Sequence, residues 1–363
     1  MREGYLVVDA DRHVIEPVGA WMDRLPAELR GLGPRIVVAD GEAYWTILAG
    51  RRLQRRYDAR ARAEVARAEP REGYREPADH LRHMDRFGID VAVMLPTLGL
   101  YLLAIDDMAA ALADAFARAY NDWLLEFCAA APGRLRPAAA LALHDPEFAV
   151  AEARRISDRG ARAVVVRPNP IGGRLLGDAA YEPLWALCEA RSLAVVCHEG
   201  THAQLPTAGA DRFTTRFAQH ACSHPMEHMI AFLSLLEGGV LERHPGLRVG
   251  FLEAGAGWVP YWLWRLDEEY RSMGGEVRAT VRELPSTYFK RQCYVTIEPG
   301  EPYLRSVIEC IGADCLLFGT DFPHPDHDGE AAGAVFGLGA TLGDEALRKL
   351  VSDNPRRFYG LES

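Results

Sequence analysis

Short apolar, β-branched runs alternate along the chain with longer segments whose apolar positions recur every three or four residues. The runs fall at 5–10 (YLVVDA), 90–95 (DVAVML), 136–143 (RPAAALAL), 161–166, 193–197, 247–252, 292–297 and 314–319. Helical periodicity follows them at about 76–87, 107–130, 146–159, 180–191, 225–242, 257–271, 301–311 and 330–341. Strand then helix, repeated eight times, predicts an α/β fold of the (β/α)8 TIM-barrel type.

Three segments exceed a minimal barrel. Residues 31–75 hold a predicted hairpin (AYWTILAGRRLQ) and then an Arg-rich stretch inserted after strand 1. Residues 199–224 form a predicted long loop after strand 5, carrying His202, His220 and His224, and 272–291 is a polar connection. Loops this long inside a compact domain usually act as lids or binding loops. Nothing resembles a linker, so 1–363 reads as a single domain.

The ends of the strands bring in chemistry. In order they carry Asp11 with His13, Pro96, His144, Arg167, His198, Glu253, Glu298 and Asp321. A barrel builds its active site from the C-terminal ends of its strands, so ionisable residues at nearly every end support both the fold and a catalytic site. Asp11, His13, His198 and Asp321 supply carboxylate oxygen and imidazole nitrogen, the donor set for Zn²⁺, Mn²⁺ or Fe²⁺. Their alternative role is a set of salt bridges at the barrel mouth.

Composition narrows the partners. The chain is 49% hydrophobic and 25% charged with a net charge of −10, which offers no basic surface for nucleic acid or anionic membrane. A small-molecule substrate is expected. The seven cysteines form no C-x-x-C pair and read as reduced core thiols of a cytoplasmic protein. No run approaches 18 apolar residues, so no membrane span is expected.

Several stretches carry a family resemblance: DADRHVIEP, CHEGTH, SHPMEHM, GGVLERHPGLRVGFLEAGAGWVPYWLWRLDE, LLFGTDFPHPD and DNPRRFYGL. Together they resemble the amidohydrolase-2 group of TIM-barrel metalloenzymes, which includes aminocarboxymuconate-semialdehyde and resorcylate-type decarboxylases. The resemblance spans nearly the whole chain. It implies that Asp11 and His13 fill the strand-1 ligand positions, His198 that of strand 5 and Asp321 that of strand 8.

Two departures stand out. The decarboxylases of this group carry a proton-handling His at the end of strand 6, where this chain has Glu253. A carbamylated lysine bridging two metals from strand 4 is excluded, since Arg167 stands there and the only lysines are Lys290 and Lys349. Further candidate ligands are plentiful: His202, His220, His224, Glu253, Glu298, His324, Asp326 and His327. This surplus is similar to the TIM-barrel non-heme diiron monooxygenases, a branch associated with CoA-linked substrates.

The reading that follows is a diiron monooxygenase using O₂, two Fe(II) ions and an electron donor to hydroxylate a CoA-linked, diterpenoid-type acid. Its metal candidates are Asp11, His13, His198, Asp321, Glu253, His202, His224 and His324, with Glu253 and His224 also catalytic. Arg167 is the candidate for a substrate carboxylate or thioester. Arg51 and Arg52 open the Arg-rich stretch that suits CoA phosphates, although Glu64, Glu69, Glu72 and Glu76 interleave it as on a solvated helix. The alternative is a mononuclear Zn(II) or Mn(II) decarboxylase or hydrolase acting on a carboxylic acid. The aromatic run Trp258, Tyr261, Trp262 and Trp264 suits core or subunit interface, and a homodimer or higher homo-oligomer is expected.

Overall fold

A computed structural model describes residues 4–39, 42–47, 51–53, 75–199, 207–324 and 331–361. The first apolar run becomes β1 (Val8–His13). The insertion after it forms a separate antiparallel sheet of β2 (Arg35–Ala39), β3 (Glu42–Ile47) and β4 (Arg51–Leu53), in agreement with the predicted hairpin. The other seven runs become β5 (Val91–Leu95), β6 (Leu135–Ala140), β7 (Ala163–Val166), β8 (Ala194–His198), β9 (Arg248–Leu252), β10 (Cys293–Ile297) and β11 (Leu316–Phe318). With β1 they make one parallel sheet in chain order. The backbone amides of Thr320 and Asp321 donate to Asp11 O at 3.1 and 2.9 Å, and the His13 amide donates to Phe322 O at 2.8 Å. These bonds join the end of β11 to β1, and the sheet becomes a nearly closed barrel.

Both faces of the strands are buried, which is why they read as continuous apolar runs rather than as alternation. Ala10, Val93, Leu95, Ala138, Val165, Val196, Leu252 and Leu317 fill the interior, while Val164, Val195, Val249 and Val295 pack outward under the helices. Small and β-branched residues suit the narrow interior of an eight-stranded barrel.

Among the helices are α1 (Pro77–Phe87), α2 (Ala110–Cys128), α3 (Pro146–Asp158), α4 (Glu182–Ala190), α5 (Arg216–Glu237), α6 (Trp258–Met273), α7 (Leu304–Ile311) and α8 (Asn354–Tyr359). α1 starts with a reciprocal Glu76–Asp79 capping box and stops at Gly88, whose φ of 70° is the left-handed conformation glycine adopts at no steric cost. α5 corrects the sequence reading. The periodicity places its start near 225, but Thr215 caps the helix by accepting from the Ala218 amide, and Pro225 lies inside it at the loss of one backbone hydrogen bond. His220 and His224 therefore stand on a helix and not in a loop.

α8 plugs the end of the barrel opposite the site. Phe358 lies against Gly250, where an added Cβ would meet Phe358 Cζ at 2.5 Å, and Tyr359 Oη donates to Ala10 O at 2.6 Å. Cys128, Cys188, Cys197, Cys293 and Cys315 are buried free thiols. No described helix is long and apolar enough to cross a membrane.

Candidate metal centre

β1 supplies Asp11 and His13 through an irregular register. Asp9 pairs with Ala92 and Arg12 with Met94 of β5, so that Ala10 and Asp11 together stand opposite one residue, Val93. Val93 and Leu95 face the interior. Ala10, Asp11 and His13 consequently face it too, whereas a regular strand would alternate them.

The two ring orientations decide what the pocket holds. His13 Nδ1 donates to Pro96 O at 2.8 Å and His198 Nδ1 donates to Glu199 O at 2.7 Å, since a carbonyl can only accept. Their Nε2 atoms face each other at 3.1 Å. Asp11 Oδ1 lies 3.2 Å from His13 Nε2 and 3.6 Å from His198 Nε2, and Asp321 Oδ1 lies 3.2 Å from His13 Nε2. All four residues are buried, and Asp11 Oδ1 receives no hydrogen bond. Converging acceptors repel unless a cation lies between them. Burial and the charge of His324 lower the His13 pKa, yet Asp11 and Asp321 outweigh them and raise it, so the pocket draws positive charge. Carbonyls behind the ring that fix the Nδ1 tautomer and leave Nε2 for the ion are the usual support of a metal-binding histidine. The donor set fits a divalent ion.

Potential ligand atoms of Asp11, His13 and His198 lie within 4.8 Å of one another, as do those of His13, Glu253, Asp321 and His324. The two sets share His13. His324 Nδ1 bonds Asp321 Oδ1 at 2.7 Å, its Nε2 lies 2.9 Å from Thr97 Oγ1, and its ring centroid is 4.2 Å from that of His13.

Glu253 reaches the centre through its backbone. Leu252 faces the interior, so a continued strand would turn Glu253 outward. Its φ of 59° reverses the chain, and its amide donates to Thr296 Oγ1 at 2.9 Å. Asp321, with φ of 50°, has the same left-handed backbone. Such conformations cost about 1–3 kcal/mol each for residues other than glycine and gather at functional sites. Glu253 Oε2 lies 3.1 Å from His198 Nε2, and Oε1 lies 3.5 Å from His224 Nε2. Burial opposes its ionisation, but His224 and His198 hold the carboxyl well below the ordinary range. Burial lowers the His224 pKa and Glu253 more than restores it, leaving it raised. Each thus favours the charged form of the other.

Arg167 sits at the end of β7 with its charge already partnered. Its Nη2 donates to Glu199 Oε1 at 2.7 Å and its Nε to Asn169 Oδ1 at 3.1 Å, all three residues being buried. Glu199 and Glu227 escaped sequence reasoning. Glu227, on α5, accepts from the Ala208 amide at 2.5 Å, and burial with the nearby Glu199 charge pushes its carboxyl up to about 7. Glu199 follows His198 directly, and Glu227 follows His224 on the same helix turn; adjacency to two candidate ligands was the signal available.

Among the described residues, His144, Glu298 and His220 stand outside the two ligand sets. His144 Nε2 donates to Ile105 O at 2.7 Å, and the Glu298 amide donates to Glu301 Oε2 at 3.0 Å. His220 stacks near His224 with ring centroids 4.5 Å apart. His202, Asp326, His327, residues 54–74 and the side chains of Arg51 and Arg52 lie outside the described residues.

The family described as Amidohydrolase, of the Amidohydro_2 type, matches residues 8–361. The chain belongs to this family. A gamma-resorcylate decarboxylase of Rhizobium sp. (strain MTP-10005) is 28% identical to this amidohydrolase-family chain over 302 residues, 78% of it and 86% of the relative. An amidohydrolase of Mycobacterium avium subsp. paratuberculosis K-10 superposes with a TM-score of 0.82 at 23% identity, covering 98% of this chain and 100% of the other. The dihydroxybenzoic acid decarboxylase of Polaromonas sp. JS666, solved with bound manganese and 2-nitroresorcinol, superposes with a TM-score of 0.69 at 21% identity, covering 98% and 97%.

These findings overturn the expected diiron monooxygenase. The relatives include gamma-resorcylate and 2-amino-3-carboxymuconate-6-semialdehyde decarboxylases, and loss of a carboxyl group as CO₂ consumes no oxidant and no external electrons. Two Fe(II) ions, the CoA-linked substrate, the electron donor and oxygenase chemistry fall together. The single-ion alternative stands.

Proposed function

We propose that this protein is a non-oxidative decarboxylase of a small carboxylic acid, of the hydroxylated aromatic kind processed by its relatives, working with one divalent ion such as Mn²⁺ or Zn²⁺. The observation that carries it is the buried convergence of Asp11, His13, His198 and Asp321, with the Nε2 atoms of the two histidines facing each other at 3.1 Å. A divalent ion bound there supplies positive charge that anchors an anionic substrate and draws electron density from it.

The remaining work falls to the chain. The C–C bond to the carboxylate breaks, its electron pair stays on the substrate carbon, and that carbon needs a proton. The buried His224–Glu253 pair stores one at the centre, with Glu253 in the place where related decarboxylases use a histidine. Arg167, held in one orientation by Glu199 and Asn169, positions an oxygen of the substrate at the barrel mouth. The interior below the centre is closed by apolar side chains and by Phe358, which keeps bulk water from that side.

The test is metal analysis together with gas exchange on hydroxybenzoates, beginning with 2,6-dihydroxybenzoate. One Mn or Zn per chain and CO₂ release without O₂ uptake is the expected result. Two ions per chain, or O₂ consumed in proportion to product, overturns the reading.

A further inference from the structure

Two residues of β1, Asp9 and Arg12, point away from the centre. The extra residue in β1 leaves Asp9 and Arg12 both opposite outward-facing residues, Ala92 and Met94, on either side of the bulge. Arg12 Nη1 donates to Asp9 Oδ2 at 3.3 Å, and its Nε donates to His80 Nδ1 at 3.0 Å on α1. The guanidinium also lies 4.3 Å from the centroid of Phe322. Asp9 accepts at Oδ2 from Thr320 Oγ1 at 2.6 Å and at Oδ1 from the Thr320 amide at 2.9 Å. Asp9, Arg12 and His80 are all fully buried.

One ion pair thus spans the bulge and ties it to the residue before Asp321. We propose that the Asp9–Arg12 pair is a positioning clamp: it holds the β1 bulge in register so that Asp11 and His13 both face inward, and through Thr320 it sets the distance to Asp321. Gly319 completes the fit. A Cβ there would stand 2.4 Å from Asp11 Cβ, so the backbone of β11 reaches Asp11 only because no side chain intervenes. Without the clamp, a regular β1 would return Asp11 to the outer face, since a one-residue change in register inverts every side chain beyond it. Neither clamp residue belongs to a ligand set, and their effect is on where the ligands stand.

The inference rests on the single-ion reading above, and the experiment separates the two. Mn²⁺ binding is measured by the loss of the free-ion electron paramagnetic resonance signal, with folding followed by circular dichroism. The unaltered protein must bind one Mn²⁺; if it binds none, the single-ion reading fails. Arg12→Met leaves a buried carboxylate uncompensated, so the double variant D9N/R12M, which removes both charges, is measured beside it. Folded clamp variants are expected to bind Mn²⁺ about 10- to 100-fold more weakly, the range for lost support of a metal ligand. Arg12→Lys, which keeps the charge but not the fork, is expected to recover part of the affinity. Gly319→Ala is expected to weaken binding by an independent route. If D9N/R12M folds and binds Mn²⁺ as the unaltered protein does, the clamp is refuted. If none of the clamp variants folds, the pair serves folding in general, which also overturns the proposal.

Discussion

His13 and His198 turn their Nε2 atoms toward each other at 3.1 Å although each ring gives its Nδ1 proton to a backbone carbonyl. Two lone pairs at that distance are stable only with positive charge between them. Mn²⁺ at about 100 times its Kd should therefore add about 2.7 kcal/mol of stability, visible as a rise in Tm. Asp321→Asn should abolish most of that rise while leaving the metal-free melt close to its original position. An unchanged response would mean that the ion binds elsewhere.

Glu253 and His224 can be told apart from the ligands by kinetics. Glu253→Gln preserves shape and a hydrogen bond but cannot keep His224 charged. Turnover should fall by about 10²- to 10⁴-fold, the usual worth of a positioned proton donor, while Mn²⁺ affinity falls by less. A loss of metal equal to the loss of rate would make Glu253 a ligand and not a proton carrier.

Arg167 carries a structural debt that a single substitution exposes. Arg167→Met leaves Glu199 buried without its partner and should destabilise the fold by about 3–5 kcal/mol, as measured by urea denaturation. The double variant R167M/E199Q should regain most of that stability. If Arg167 orients substrate, the double variant keeps a raised KM for the hydroxybenzoate; a normal KM would confine the pair to structure.

Glu227 predicts a pH dependence of stability. Its carboxyl lies at about 7 in the folded chain against an ordinary 4.5, raised by burial and by Glu199. Between those values the folded state holds a proton that the unfolded state has released, so stability declines as pH rises from about 4.5 to about 7 and then levels off. Glu227→Gln removes this decline and should gain ~1–3 kcal/mol near pH 8 relative to pH 5. Parallel stability curves for the two proteins would show that Glu227 ionises normally.

The barrel was legible because its strands are buried on both faces and appear as uninterrupted apolar runs, and because ionisable residues such as His198 and Asp321 follow them directly. Three features were not. The β1 bulge lies within a uniformly buried segment, so no change of polarity marks the place where Ala10 and Asp11 come to share a face. The start of α5 was obscured by Pro225, whose rigid ring suits a first turn; the real signal was Thr215 ahead of it. The inward turn of Glu253 depends on a left-handed backbone, which its residue type does not announce. The chemistry was misjudged because Glu253 in place of a histidine and a surplus of histidines beside the core ligands were read as a second metal site, whereas the relatives are decarboxylases.

The hydrogen bond from Tyr359 to Ala10 spans 349 positions of the chain. β1 is thus propped from beneath by a helix that comes after every strand of the barrel. That helix supplies no group to the chemistry, yet truncation within it should yield a chain that retains Asp11, His13, His198 and Asp321 and binds Mn²⁺ more weakly.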